Sequence, residues 1–171
     1  SKFGNAAVPS RKFNKINLNA SWFKPTPIII ADRNVQFRSM FSAQYSPNML
    51  VSSEKFSLGG LSSVRGFKEY RENADNALLL RNELVVFLPQ KESKIYQKFF
   101  GDFSTFIAFD IGHFSNYEEQ TERRGTLSGV AAGIRNSNGV FDIDLVISRP
   151  AQSHINYKHK NIIYFSVGIN V

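Results

Sequence analysis

The run Phe103-Ser-Thr-Phe-Ile-Ala-Phe-Asp-Ile-Gly112 decides the fold. Phe103, Thr105, Ile107, Phe109 and Ile111 fall on one side of an extended chain, and Ser104, Phe106, Ala108, Asp110 and Gly112 on the other. A period of two, apolar against mixed, is the pattern of a strand with one greasy face. Asp110 and Gly112 share the second face, so a carboxylate stands beside a bare patch of wall that another backbone can approach.

The same period recurs on both sides of this run. From Phe13, Ile16, Leu18, Ala20 and Trp22 oppose Lys15, Asn17, Asn19 and Ser21. From Asn34 to Ser46, Val35, Phe37, Phe41, Ala43 and Tyr45 oppose Gln36, Arg38, Ser42 and Gln44. Asn76 to Leu88 sets Leu78, Leu80, Leu84 and Val86 against Arg81, Glu83 and Val85, and Pro89 stops it. Thr126 to Arg135 is rich in small residues, with Gly129, Ala131 and Gly133 opposite Val130, Ala132 and Ile134. Asn136-Ser-Asn-Gly139 predicts a tight hairpin turn. It leads into Phe141, Ile143, Leu145 and Ile147, which oppose Asp142, Asp144 and Ser148. The last strand sets Ile163, Phe165, Val167, Ile169 and Val171 against Tyr164, Ser166, Gly168 and Asn170. Residues 1–12 read as a polar lead-in, Pro25 and Pro27 as breaks in pairing, and Glu92–Phe100 as one or two helical turns.

Seven antiparallel strands make the fold all-β. At roughly ten to thirteen residues each they exceed the usual strand and match the length that crosses a bilayer at a tilt. With the last strand ending on the periplasmic side, the connections 47–75, 113–125 and 149–160 face outward and 24–33, 89–102 and 136–139 face inward. Long outward loops and short inward turns are the habit of outer-membrane barrels. A soluble sandwich or small ligand-binding barrel satisfies the periodicity equally. The charges favour the membrane: Arg38, Arg81, Glu83, Arg135, Asp142 and Asp144 lie on the polar faces, where a water-filled interior accepts them without burial.

The chain of 171 residues carries a net charge of +7 and no cysteine. Disulfides and thiolate metal sites are excluded. Its lysines and arginines are scattered instead of clustered, which argues against a nucleic-acid surface. No apolar run reaches the roughly 20 residues of a membrane helix, and no signal-peptide pattern opens the chain. Enzyme signals are weak. His113, His154 and His159 have no partners at metal-ligand spacing, and no nucleophile elbow occurs. Gly60 to Gly66 has the gap of a phosphate loop but continues Phe67-Lys68-Glu69, so that match fails and no cofactor is expected.

The long connection 47–75 holds Phe-Ser-Leu-Gly-Gly-Leu-Ser-Ser-Val-Arg-Gly-Phe, residues 56–67. Loops of this length inside a compact fold are usually functional. Gly59, Gly60 and Gly66 permit sharp bends, and Arg65 offers a fork of donors suited to a carboxylate. Two readings stand on the residues alone. In one, Arg65 is solvated and Asp110 is an ordinary strand-end charge. In the other, Arg65 dips into the barrel and pairs with Asp110.

With those residues in view, the chain resembles the outer-membrane transporters of two-partner secretion, the haemolysin-activator and filamentous-haemagglutinin-secretor family. The resemblance rests on Gly-Gly followed by Val64-Arg65-Gly66-Phe67, on Leu80-Arg81-Asn82-Glu83-Leu84, and on Phe109-Asp110-Ile111-Gly112. It implies that Arg65 locks onto Asp110, with Val64, Gly66, Phe67 and Gly112 around the contact. Two positions depart from the pattern: Ala108 where the family has Phe or Gly, and Val171 where such barrels commonly finish with Phe. The resemblance further implies that 1–171 is the C-terminal part of a sixteen-stranded barrel in the Gram-negative outer membrane. Upstream would lie the remaining strands, a plug helix and POTRA domains. The expected function is a pore that exports an unfolded exoprotein, surrounded by outer-membrane lipid and inserted by the barrel assembly machinery. The related insertase activity is the alternative.

Overall fold

A computed structural model describes residues 12–30, 32–68, 70–90, 92–117, 122–153 and 160–170. The expectations for most of the lead-in, for His154 and His159 and for the terminal Val171 lie outside the described residues. In chain order the elements are β1 (Ile16–Ile30), β2 (Arg33–Tyr45), β3 (Phe56–Leu58), β4 (Glu72–Ala74), β5 (Asn76–Phe87), α1 (Lys94–Phe100), β6 (Asp102–Tyr117), β7 (Glu122–Ser137), β8 (Phe141–Ser153) and β9 (Ile162–Ile169). Seven strands form one antiparallel meander, β1-β2-β5-β6-β7-β8-β9, while β3 and β4 pair with each other inside the long loop.

The two faces of the sheet follow the alternation. Ile107, Phe109, Leu145, Ile147, Ile163 and Phe165 point outward and are exposed, and no second layer covers them among the described residues. A soluble sandwich would have buried this face. On the inner face Val85, Phe106, Ala131 and Val146 pack together, and above them the long loop covers Ala77, Leu79, Phe114 and Leu127 with its own Leu58, Val64 and Phe67. Apolar burial is thus concentrated where the loop meets the wall, away from the outward belt.

Three predicted connections are corrected. Within 24–33, Lys24–Ile30 and Arg33 are strand: β1 pairs with β2 to Ile30↔Arg33, with a register shift between Pro25 and Ile29. Proline is accommodated there because the ladder to β2 is interrupted between Pro25 and Ile29, where a missing N–H costs no regular pairing. Thr26 Oγ1 donates to the Val35 carbonyl at 2.8 Å and steadies the bulge. Residues 113–125 are mostly ladder, since β6 and β7 stay paired out to Tyr117↔Glu122. Polar side chains do not end a strand whose backbone partners continue. For the same reason β8 runs on to Ser153, into the segment read as the 149–160 connection. The strands accordingly range from 8 residues in β9 to 16 in β6, wider than expected.

At the inner end, α1 lies between β5 and β6. Ser93 Oγ accepts from the Tyr96 N–H as its N-cap, and Gly101, at φ 58°, ends it. Asn136 bonds the Phe100 and Phe141 carbonyls through its side-chain amide, tying the helix end to the β7–β8 hairpin.

Candidate functional site: the loop tip against the sheet

The long loop turns back over the inner face because its glycines allow it. Gly59, Gly60 and Gly66 have φ of 105°, 102° and 100°, where a side chain is strained. A Cβ on Gly66 would sit 2.5 Å from the Arg149 carbonyl carbon, and one on Gly129 would sit 1.8 Å from the Arg65 carbonyl oxygen. The tip therefore lies directly on the backbones of β7 and β8. Gly112 performs the matching service on β6, where a Cβ would press 2.8 Å from Leu58 and 2.9 Å from Val64.

Arg65 is 1% exposed and Asp110 0%. Arg65 Nε donates to Asp110 Oδ2 and Nη2 to Asp110 Oδ1, each at 2.6 Å, the two-pronged geometry that suits a carboxylate. The Arg65 backbone N–H adds a contact to Oδ2 at 3.1 Å. The remaining prong, Nη1, donates to Glu83 Oε1 at 2.6 Å. Arg65 thus spans β5 and β6, and the solvated reading of both residues is excluded. Val64 and Phe67, each fully buried, pack the tip against Leu79, Phe114 and Leu127 of the inner face.

The other sequence-predicted charges separate into two groups. Arg81 joins the tip, with Nε 3.6 Å from Asp110 Oδ1 and Nη1 and Nη2 donating to the Ser62 and Leu61 carbonyls. Arg135 donates to both oxygens of Glu83 at 3.1 Å, stacks 3.9 Å above the Phe106 ring, and has Nε 3.9 Å from Asp144 Oδ1. Two carboxylates are therefore clamped among three guanidiniums, a fully alternating network beneath the tip. Arg38 stands apart: its Nε donates to Gln36, and its guanidinium sits between the Phe23 and Phe87 rings. Asp142 lies near the inner end and accepts from Asn170 at 2.8 Å. A cavity of about 220 Å³ opens on the inner face, bordered by Arg38, Arg65, Arg81, Glu83, Arg135 and Asp144.

Sequence reading missed the base of the loop. Asp75, 0% exposed, accepts from the Leu50 N–H at 2.8 Å and the Tyr117 N–H at 3.0 Å, with Lys55 Nζ 3.3 Å away. It joins the loop's entry, its exit and β6. Asn116 reinforces the join by donating to Glu72 and to the Asn73 carbonyl, and Arg123 pairs with Glu72 at 2.8 Å. Burial and the hydrogen bond to Glu72 push the Tyr70 phenol up to about 12. Gln44 donates to the Ala74 and Asp75 carbonyls. The one available signal was an Asp followed directly by a strand-opening Asn, a pairing common in loops and so uninformative.

Among the described residues no group of three His, Asp or Glu side chains is placed to hold a metal ion. The site is a buried guanidinium–carboxylate ion pair beneath a glycine-hinged loop.

The chain is similar to known proteins in sequence and in fold. The family "Haemolysin secretion/activation protein ShlB/FhaC/HecB" matches residues 2–136. The outer membrane transporter CdiB of Escherichia coli O6:K15:H31 (strain 536 / UPEC) is 35% identical over 132 residues, covering 77% of this chain and 21% of CdiB. The heme/hemopexin transporter protein HuxB of Haemophilus influenzae is 27% identical over 143 residues, covering 81% of this chain and 24% of HuxB. The chain therefore spans between a fifth and a quarter of the length of these relatives. The solved structure of CdiB from Escherichia coli superposes with a TM-score of 0.79 at 29% identity, over 99% of this chain and 30% of that one. CdiB from Acinetobacter baumannii, at 23% identity over 92% of this chain and 27% of that one, shares the fold with a TM-score of 0.74. An exposed greasy belt, an inward-folded loop and this match lead to one conclusion: the chain belongs to the ShlB/FhaC/HecB haemolysin secretion/activation family of Gram-negative outer-membrane transporters, and its seven strands are a stretch of such a barrel.

Proposed function

We propose that this chain is the C-terminal part of a pore that exports an unfolded partner exoprotein across the outer membrane, by two-partner secretion. The observation that carries the reading is the Arg65–Asp110 clamp, buried on the polar face and reached only by a long loop folding inward. In the proposal the loop is an internal strut. Val64, Gly66, Phe67 and Gly112 fit it to the wall, Arg65 anchors it and Asp110 receives it. Arg38, Arg81, Glu83, Arg135, Asp142 and Asp144 line the wet path, where alternating charge keeps a passing chain from sticking to one sign. The strands that close the barrel and the POTRA domains that receive the exoprotein lie elsewhere in the same polypeptide. Lipid surrounds the outward belt, and the barrel assembly machinery inserts the whole.

Removing one half of a buried ion pair leaves the other charge uncompensated, at a cost of about 3–5 kcal/mol. That is enough to release the loop from its seat in nearly every molecule. Full-length transporters carrying Arg65→Ala or Asp110→Ala should therefore assemble in the membrane and secrete their exoprotein at least about tenfold less. Immunoblots of culture supernatant against outer-membrane fractions measure both quantities. Undiminished secretion by both variants would remove the clamp from the mechanism.

A further inference from the structure

We propose that the outward face carries a binding site for a phosphorylated membrane lipid, with Arg149 as the headgroup anchor and the groove beside it as the acyl-chain bed. The inference goes beyond the export reading and rests on the barrel's place in the outer membrane.

Arg149 is the anomaly of the greasy belt. It follows Ile147 on the outward side of β8, and its side chain is exposed. Across the ladder it is level with Val130 of β7, and Ile147 pairs with Ile163, which places Asn161 beside Arg149 on the same face. Phe109, opposite Val130, completes the row. None of these outward neighbours is charged, so among the described residues nothing on this face neutralises the guanidinium. Its main chain meanwhile is pressed against Gly66 on the other side of the sheet, so β8 cannot rotate to hide it. A cation facing lipid is expensive unless an anion meets it.

Depth tells where that anion is found. Eight residues separate Phe141, at the short inner turn, from Arg149. At about 3.3 Å per residue and a tilt near 40° this is a climb of roughly 20 Å, within a greasy band about 25 Å tall. The Arg149 backbone therefore lies roughly 5 Å short of the outer rim, a distance its long side chain spans to bring the guanidinium to headgroup level. The sequence around it has a single sign: residues 149–160 contain Arg149, Lys158 and Lys160 with His154 and His159, and no Asp or Glu. Beside the guanidinium the wall is hollowed into a groove of about 610 Å³, formed by Leu84, Ile107, Phe109, Val130, Ala132 and Ile147 with Arg149 and Asn161 at its end. Val130 and Ala132 are the small residues that create the hollow between larger neighbours. An apolar trough ending in an unpaired guanidinium and an amide is complementary to an acyl chain ending in a phosphate.

The test uses the full-length transporter, purified in an uncharged detergent. Lipid A, its dephosphorylated form and inorganic phosphate are titrated separately, with bound lipid counted by native mass spectrometry and affinity taken from the shift in thermal midpoint. The expected result is saturable binding of lipid A, weakened about tenfold or more by Arg149→Gln and partly kept by Arg149→Lys. Dephosphorylated lipid A should bind at the weakened level even to the unaltered protein. Three results would each overturn the site: equal binding by Arg149→Gln, equal binding of the dephosphorylated form, or saturation by inorganic phosphate at the same concentrations. Should Arg149→Gln fail to assemble, the lysine variant and the dephosphorylated lipid still decide the matter. Because the readout is lipid bound to a folded barrel, its failure leaves the export reading untouched.

Discussion

Asp110 receives Arg65 on both oxygens while Arg81 stands 3.6 Å away, and Glu83 takes the third prong of Arg65 together with Arg135. Charge balance therefore depends on the whole set, and the clamp can be attacked without touching any charge at all. Gly129 tests this. Its missing Cβ is the space occupied by the Arg65 carbonyl, 1.8 Å from where that carbon would stand, and the obstruction is backbone that has nowhere to retreat. Gly168, on the same inner face, has its nearest neighbour at 3.7 Å, an ordinary contact. Gly129→Ala should lift the tip and destabilise the docked loop by about 1–3 kcal/mol, while Gly168→Ala should change stability by less than about 0.5 kcal/mol. The lift is measurable by maleimide labelling at Ser63→Cys, a position 5% exposed while the tip is docked, since this stretch has no other cysteine: faster labelling is expected with Gly129→Ala and an unchanged rate with Gly168→Ala. The residues alone left Arg65 and Asp110 either solvated or paired, since glycines mark where a loop can bend and not where its tip lands, and it was the family resemblance that implied the pairing. Glu83 and Arg135 were legible as polar-face residues, but their shared contact depends on register across three strands, and one sequence does not state register.

The long loop is an element with two attachments, a tip held by Arg65 and a base held by Asp75. The base was invisible in the sequence, for a physical reason: Asp75 acts on backbone N–H groups of Leu50 and Tyr117, and a backbone donor has no letter of its own. Only burial distinguishes it from any loop aspartate, and burial here follows from strands β6 and β7 running past the point where their polarity suggested a loop. The extended ladder brings Asn116 and Arg123 up beside Glu72. Replacing Asp75 by Ala strands two buried donors, at about 1–3 kcal/mol each. The expected consequence is a frayed base with the tip still seated. Limited trypsin digestion of the full-length transporter should then cut at Lys55, Lys68 or Arg71 several times faster in Asp75→Ala, while labelling at Ser63→Cys, buried under the seated tip, stays slow. Fast labelling would show instead that base and tip dock as one unit, and the two-attachment picture would fail.

At the scale of the whole sheet, period-two alternation gave away the seven strands of the meander, because strands adjacent in sequence are adjacent in space even across the 46–75 loop and the 88–101 segment that holds α1. What stayed hidden was where strands stop. Ladder ends are set by partners: Pro25 and Pro27 do interrupt the pairing, but it resumes at Ile29 so the strand continues past them, and the polar runs after Gly112 and Arg149 looked like loops until their cross-strand partners were seen. Both outer strands, β1 and β9, have one bare rim, and the outward belt beside those rims is apolar: Ile16, Leu18 and Trp22 on β1, Ile163, Phe165 and Val167 on β9, all exposed. Detergent can cover such a belt, but it cannot satisfy the unpaired N–H and C=O groups of a rim, each of which costs several kcal/mol in an apolar surrounding. The 171-residue stretch expressed by itself should therefore not persist as a monomer in detergent. It should pair rim to rim into dimers or larger rings, whereas the complete transporter, if its rims meet further strands as proposed, should run as a single closed species that resists unfolding in sodium dodecyl sulfate until heated. Light scattering coupled to size exclusion separates the outcomes. A stable monomeric stretch would mean that β1 and β9 satisfy their own rims, and the reading of these strands as part of a larger barrel would have to yield to a self-sufficient sheet.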